Sequence, residues 1–120
     1  MHKTQKTFIA IVLLTVLALS GCKSKGREYL ADISVTPEGS SAQIIIKEWR
    51  FLLGSGAEIY YKQGTELTLL GKTSGGDDGY CPFSEGNYTV AIEDNQLLVR
   101  WHFREDIWKE SRFSLPDQYR

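Results

Sequence analysis

The chain has 120 residues, 42% of them hydrophobic and 24% charged, which is enough for one globular domain and too few for two. Its 14 basic and 15 acidic residues give a formal net charge of −1. Lys3 and Lys6 are the only charged residues among the first 21, so acids outnumber bases in the remainder. This balance argues against a nucleic-acid-binding domain, which normally presents a basic face.

The first 21 residues have the three parts of a secretory signal. Lys3 and Lys6 begin the segment, an apolar run follows at residues 8–19, and Ser20 and Gly21 provide small residues before a cleavage site. A helix over residues 8–19 would be about 18 Å long, well short of the ~30 Å hydrocarbon layer. The pattern therefore favours a signal removed after residue 21 over a permanent spanning helix.

The residues Leu19-Ser20-Gly21-Cys22 resemble the lipobox of bacterial lipoproteins. In that family the cysteine thiol is joined to diacylglycerol, a peptidase cuts before it, and the new amino terminus is often acylated. The resemblance covers residues 1–22 and implies that lipid on Cys22 holds the mature chain on the outer side of the cell membrane. Lys23 is not the aspartate that this family associates with inner-membrane retention, so in a Gram-negative host we expect the outer membrane. As a whole, the chain resembles the many small bacterial lipoproteins, which implies an anchor and no mechanism.

The mature chain is predicted to be all-β. Residues 22–27 form the lipidated cysteine and a polar tether, residues 28–115 a single β domain, and residues 116–120 a tail. Within the domain, β-branched and aromatic residues alternate with polar ones, and Gly, Asn, Asp or Pro recur every eight to twelve positions. This pattern is typical of a small antiparallel sandwich or barrel, here of about six to seven strands.

The first two predicted strands span 29–35 and 43–52. They are joined by a turn in which Pro37 takes the second position and Gly39 the fourth.

A hairpin is predicted over residues 57–71. A three-residue loop at Lys62-Gln63-Gly64, with Gly64 in the left-handed conformation, would place apolar residues on one face. The predicted facing pairs are Tyr61 with Thr65, Ile59 with Leu67, and Ala57 with Leu69.

The longest irregular stretch, residues 71–86, is the candidate binding loop. Asp77, Asp78 and Tyr80 are its candidate binding residues, and connections of this length are usually functional or disordered. The adjacent acids lack the alternating spacing of a calcium loop, so no metal is expected and a solvated turn is favoured. We expect Tyr80, Pro82 and Phe83 to fold back over one end of the core.

Cys81 lies in this loop and has no partner within the chain once Cys22 is lipidated. We expect a small buried side chain, with pairing to another molecule as the alternative. A catalytic thiol would need a base, and nothing in the sequence links Cys81 to His102.

Residues 87–103 carry the clearest hairpin pattern. A two-residue turn at Asp94-Asn95, where both residues tolerate positive φ, places three pairs of apolar or aromatic residues on one face. The predicted pairs are Glu93 with Gln96, Ile92 with Leu97, Val90 with Val99, and Tyr88 with Trp101. A slip of one residue would turn the whole apolar set to water, so this register is well specified.

A last strand is predicted over residues 107–115. Among the three tryptophans, Trp101 is assigned to the hairpin core, and Trp108, flanked by charged residues, is the best candidate for an exposed aromatic. An exposed ring could stack on a sugar, although aromatic residues more often serve in the core.

The sequence predicts a membrane-anchored binding module for a protein or glycan, with no cofactor, no metal and no nucleic acid. No set of residues forms a catalytic motif, so an enzyme is not expected. The alternative is an inhibitor or immunity protein in the cell envelope, for example one that blocks a cell-wall hydrolase.

Overall fold

The computed structural model describes residues 26–116. A 3₁₀ turn at Asp77–Gly79 lies in the loop between the fifth and sixth strands. The strands of this range are Glu28–Tyr29 (β1), Ile33–Val35 (β2), Gln43–Phe51 (β3), Gly54–Gln63 (β4), Glu66–Ser74 (β5), Tyr88–Glu93 (β6), Gln96–Arg104 (β7) and Ile107–Ser114 (β8).

Two antiparallel sheets form a small sandwich-like domain, which confirms the predicted fold class. In the first sheet β3 pairs with β4 and β4 with β5, and the second sheet has the order β6-β7-β8. Both β1 and β2 pair with β3, so they make one interrupted edge strand where the sequence predicts a continuous strand. The ends of β3 and β7 lie at the same end of the sandwich, because the 3₁₀ turn contacts both: Gly79 approaches Leu53, and Asp77 pairs with Arg104.

The core lies between the sheets and is built from alternate residues of the long strands. In β3 the even-numbered side chains point inward, and in β7 the odd-numbered ones do, as the period of two in a strand requires. The buried cluster contains Ala42, Ile44, Ile46, Ala57, Ile59, Tyr61, Phe83, Leu97, Val99, Trp101 and Leu115.

The hairpin of β6 and β7 has the register that the sequence predicts. Glu93 pairs with Gln96, and the three apolar pairs follow in the expected order down to Tyr88 and Trp101. Asp94 and Asn95 have φ values of 52° and 63°, so both adopt the left-handed conformation that this turn needs.

The predicted register of the β4–β5 hairpin is wrong. The turn has two residues, Gly64 and Thr65, and Gln63 pairs with Glu66. Gly64 does have a positive φ of 62°, as predicted. The observed partners of the three predicted residues are Thr68 for Tyr61, Gly71 for Ile59, and Thr73 for Ala57.

The later position of the turn accounts for the partner of Tyr61, and a bulge in β5 shifts the partners of Ile59 and Ala57 by one further residue. The register shifts between Ile59 and Tyr60, which pair with Gly71 and Leu69, so Leu70 is an extra residue that packs against the core. Leu67 and Leu69 lie on the outer face instead, with 40% and 47% of their surface exposed.

Two boundaries also differ from the predictions. The turn after β2 is closed by a hydrogen bond from Ser40 N to Pro37 O (3.2 Å), so Pro37 is its first residue and Gly39 its third. Because β5 continues to Ser74, the predicted loop at 71–86 begins only at Gly75.

Candidate functional site

The loop between β5 and β6 is held in place by Glu48, a fully buried carboxylate on β3. Its oxygens accept hydrogen bonds from the backbone N–H of Phe83 (3.0 Å) and of Ser84 (2.7 Å), and from the Ser84 hydroxyl. A carboxylate that accepts several such bonds is stabilised in its buried position. The loop is therefore fixed to the first sheet rather than freely solvated.

Sequence reasoning missed Glu48. The available signal was its place in β3, where it follows Ile44 and Ile46 at the same inward spacing. An acid at an inward position of an apolar strand needs a buried partner.

The predicted fold-back of the loop over the core occurs. Pro82 and Phe83 are fully buried, and the Phe83 ring centroid lies 5.3 Å from that of Tyr88 and 6.1 Å from that of Trp101. Tyr80 is half-buried, and its ring packs against Gly76, where a Cβ atom would overlap it. The same loop thus closes one end of the core and carries Tyr80 to the surface.

Tyr80 links the loop to the second sheet through a chain of hydrogen bonds. The Asn87 side-chain amide donates to the Tyr80 hydroxyl (2.6 Å), and that hydroxyl lies 3.1 Å from His102 Nδ1. His102 Nε2 lies 2.7 Å from Glu105 O, a backbone oxygen that can only accept. Nε2 of His102 therefore carries a proton, and in the neutral tautomer Nδ1 accepts from the Tyr80 hydroxyl.

Three neighbouring rings, those of Tyr80, His102 and Trp108, form what we call the aromatic row. The Tyr80 and His102 centroids are 5.5 Å apart in an edge-on arrangement, and those of His102 and Trp108 are 5.3 Å apart. Trp108 pairs with His102 across β7 and β8 on the outer face of the second sheet, and 45% of its surface is exposed. The structure thus joins two of the sequence candidates, Tyr80 and Trp108, through a histidine.

The two other candidates, Asp77 and Asp78, lie in the 3₁₀ turn beside this row. Asp77 forms an exposed ion pair with Arg104 at the end of β7 (3.2 Å). Asp78 is exposed and has a φ of 54°, a left-handed conformation that aspartate tolerates. Within residues 26–116, no three His, Cys, Asp or Glu side chains are grouped as metal ligands.

Cys81 is a free, half-buried cysteine, less buried than the sequence predicts. Its Sγ lies 3.5 Å from Gly79 O. Burial raises the pKa of the Cys81 thiol, and the nearby Glu48 carboxylate raises this pKa further. The thiol is therefore protonated at neutral pH, and both nitrogens of His102 are engaged elsewhere.

The other two tryptophans, Trp49 and Trp101, pack against other parts of the domain. Trp101 is buried, and its Nε1–H donates to Gly75 O (3.2 Å). Trp49 packs over Gly56, and the Arg27 guanidinium lies 4.0 Å from the Trp49 ring centroid.

A shallow groove lies on the outer face of the first sheet, away from the aromatic row. Asp32, Ile45, Lys62, Thr65 and Leu67 line it, and its volume is about 300 Å³. Its lining comes from the half of the sheet near the β4–β5 turn.

Comparisons with protein-family models, with curated proteins and with solved structures each find no match to this chain. In the described range, 26–116, there is no helix with the length and apolar character needed to cross a bilayer. The predicted signal and Cys22 lie outside that range.

Proposed function

We propose that this chain is the precursor of a bacterial lipoprotein whose β domain acts as a binding module outside the cytoplasm. In this proposal residues 1–21 direct export and are removed, and lipid on Cys22 holds the mature chain on a membrane. The support for the anchor is the Leu19–Cys22 pattern that follows an apolar run too short to span a bilayer. Lys23 favours the outer membrane in a Gram-negative host.

The proposed ligand is a glycan of the cell envelope, bound at the aromatic row. The observation that carries this proposal is the exposed Trp108 ring beside His102, which is itself fixed by two hydrogen bonds. An aromatic face with polar groups at its rim suits a sugar ring, which has apolar C–H faces and equatorial hydroxyls. The exposed Asn87 amide and the Arg104–Asp77 pair provide polar groups next to the row.

A substitution at Cys22 tests the anchor. The full-length chain is expressed, and intact mass and membrane partition after a carbonate wash are measured for the native protein and for Cys22→Ala. We expect the native mass to show loss of residues 1–21 and addition of acyl chains, and Cys22→Ala to lose both. Cys81→Ala is the matched control, because it removes the second cysteine and should leave processing unchanged. Normal processing and membrane retention of Cys22→Ala would refute the anchor.

A sedimentation assay tests the ligand. The acylated protein, extracted in detergent, is mixed with insoluble peptidoglycan, and the bound fraction is measured for the native chain and for Trp108→Ala. We expect Trp108→Ala to bind peptidoglycan roughly 30-fold more weakly, because truncating a central tryptophan typically costs about 2 kcal/mol of binding free energy. Tyr29→Ala is the matched control, because Tyr29 is similarly exposed (49%) but lies on the first sheet.

The inhibitor alternative makes a different prediction in the same preparation. If the native protein does not sediment with peptidoglycan but slows lysozyme on it, the domain is an inhibitor. If it does neither, the glycan proposal fails, and the anchor still stands or falls on Cys22→Ala.

A further inference from the structure

The turn between β3 and β4 exposes three consecutive apolar residues, which we call the apolar tip: Phe51, Leu52 and Leu53. Their exposed fractions are 49%, 85% and 73%. Isolated exposed leucines are ordinary on protein surfaces, but a contiguous apolar projection marks an interaction site.

The other hairpin turns of the described domain are polar. They consist of Gly64–Thr65, Asp94–Asn95 and Glu105–Asp106, which are typical turn residues or charged ones. Leu52, by contrast, has a φ of 55°, a strained conformation for a bulky side chain. Turn chemistry would favour Gly, Asn or Asp here, so neither local geometry nor core packing explains these leucines.

The amino-terminal segment enters the domain beside this tip. Glu28 of β1 pairs with Arg50, the residue before the tip, and β1 is antiparallel to β3. Gly26 and Arg27, which precede Glu28, therefore lead towards the turn. Three residues, 23–25, separate Cys22 from Gly26, a connection that spans about 14 Å at full extension.

We propose that the apolar tip inserts into the surface of the lipid bilayer next to the lipidated Cys22, so that the domain has two contacts with the membrane. This inference depends on the proposed anchor, because the short tether is what brings the tip to the bilayer. Apolar side chains of this kind enter the boundary between headgroups and acyl chains, about 5–10 Å deep.

The charges around the tip agree with a shallow position at that boundary. Lys23, Lys25 and Arg27 lie between the anchor and β1, and cations there favour anionic headgroups. The 3₁₀ turn packs behind the tip, where Gly79 approaches the backbone of Leu52 and Leu53. Its neighbour Asp78 is exposed and would resist deeper burial.

Insertion would fix the orientation of the domain. The β4–β5 turn at Gly64–Thr65 lies at the opposite end of β4 from the tip, so it would point away from the membrane. The shallow groove near that turn would face the aqueous space. The aromatic row, on the outer face of the second sheet and next to the β7–β8 turn, would lie near the membrane-facing end of the sandwich with its rings directed sideways.

A fluorescence experiment on the full acylated protein tests the insertion. In a Cys81→Ser background, Leu53→Cys is labelled with an environment-sensitive nitrobenzoxadiazole dye, after intact mass confirms acylation at Cys22. The matched control is Leu67→Cys, another exposed leucine, at the far end of the sheet. Both are reconstituted in vesicles of phosphatidylethanolamine and phosphatidylglycerol.

At Leu53→Cys we expect blue-shifted emission, quenching by spin-labelled lipid, and a roughly fivefold loss of iodide quenching, as burial at this depth implies. At Leu67→Cys we expect none of these.

A label-free measurement guards against insertion driven by the dye. Hydrogen exchange of the amides of residues 51–54 should slow on vesicles, while that of Gly64 and Thr65 should not, and Leu52→Ser/Leu53→Ser should abolish the slowing. Acylated, vesicle-bound protein with equal exposure at both ends would overturn the insertion and leave the anchor intact. Protein that is neither acylated nor membrane-bound would overturn the anchor and the insertion together.

Discussion

The buried carboxylate of Glu48 provides the sharpest test of how the candidate loop is held. Glu48→Leu removes the acceptor for two backbone N–H groups, those of Phe83 and Ser84, and for the Ser84 hydroxyl. An unsatisfied buried donor costs about 1–3 kcal/mol, and two backbone donors therefore set a gross cost of about 2–6 kcal/mol. Leucine recovers part of this cost, because it buries no charge. We expect a net loss of about 2–4 kcal/mol in the free energy of unfolding.

Glu48→Gln separates charge from shape. The amide keeps one carbonyl acceptor of nearly the same geometry, but it replaces a charge-assisted bond with a neutral one and turns an NH₂ group towards a donor. We expect a smaller loss, about 1–2 kcal/mol, since bonds to charged groups contribute about 1 kcal/mol more than neutral ones.

Urea unfolding under reducing conditions is the assay. The midpoint should fall in the order native, Glu48→Gln, Glu48→Leu with an unchanged slope, and Glu66→Gln, an exposed acid on β5, should behave as the native protein. Amide exchange at Phe83 and Ser84 should also accelerate in both Glu48 variants. A loss below about 0.5 kcal/mol for Glu48→Leu, the range of ordinary surface changes, would refute the reasoning.

Two further predictions concern other parts of the domain. Gly71→Ala should lower the free energy of unfolding by about 1–3 kcal/mol, because the added Cβ would overlap the Phe113 ring. Gly54→Ala is the control and should be far milder, because its Cβ would meet its nearest neighbour at 3.4 Å. Thermal unfolding compares the two variants, and equal losses of stability would contradict the packing argument. The raised pKa of Cys81 keeps its thiol protonated at pH 8, so iodoacetamide should modify it more slowly in the native protein than in urea. Equal rates would show that burial does not control the reactivity of this thiol.

Local sequence determined the hairpin of β6 and β7. Its alternation places the three pairs Tyr88–Trp101, Val90–Val99 and Ile92–Leu97 on one face, and Asp94 and Asn95 accept the positive φ of a two-residue turn. Because both signals lie within one short segment, neighbouring residues alone specify the register. The all-β class and the burial of Pro82 and Phe83 could be predicted for a similar reason, since each rests on residue type and spacing.

Only tertiary structure decided the register of β4 and β5 and the make-up of the candidate site. The bulge at Leu70 places Gly71 under the Phe113 ring, a residue more than forty positions later in the chain. Glu48 meets Ser84 across 36 positions, and Tyr80 meets His102 across 22. Alternation along a strand tells which side chains point inward but not which distant segment they will meet. Contacts of that kind are fixed by the packing of two sheets, which no local pattern encodes.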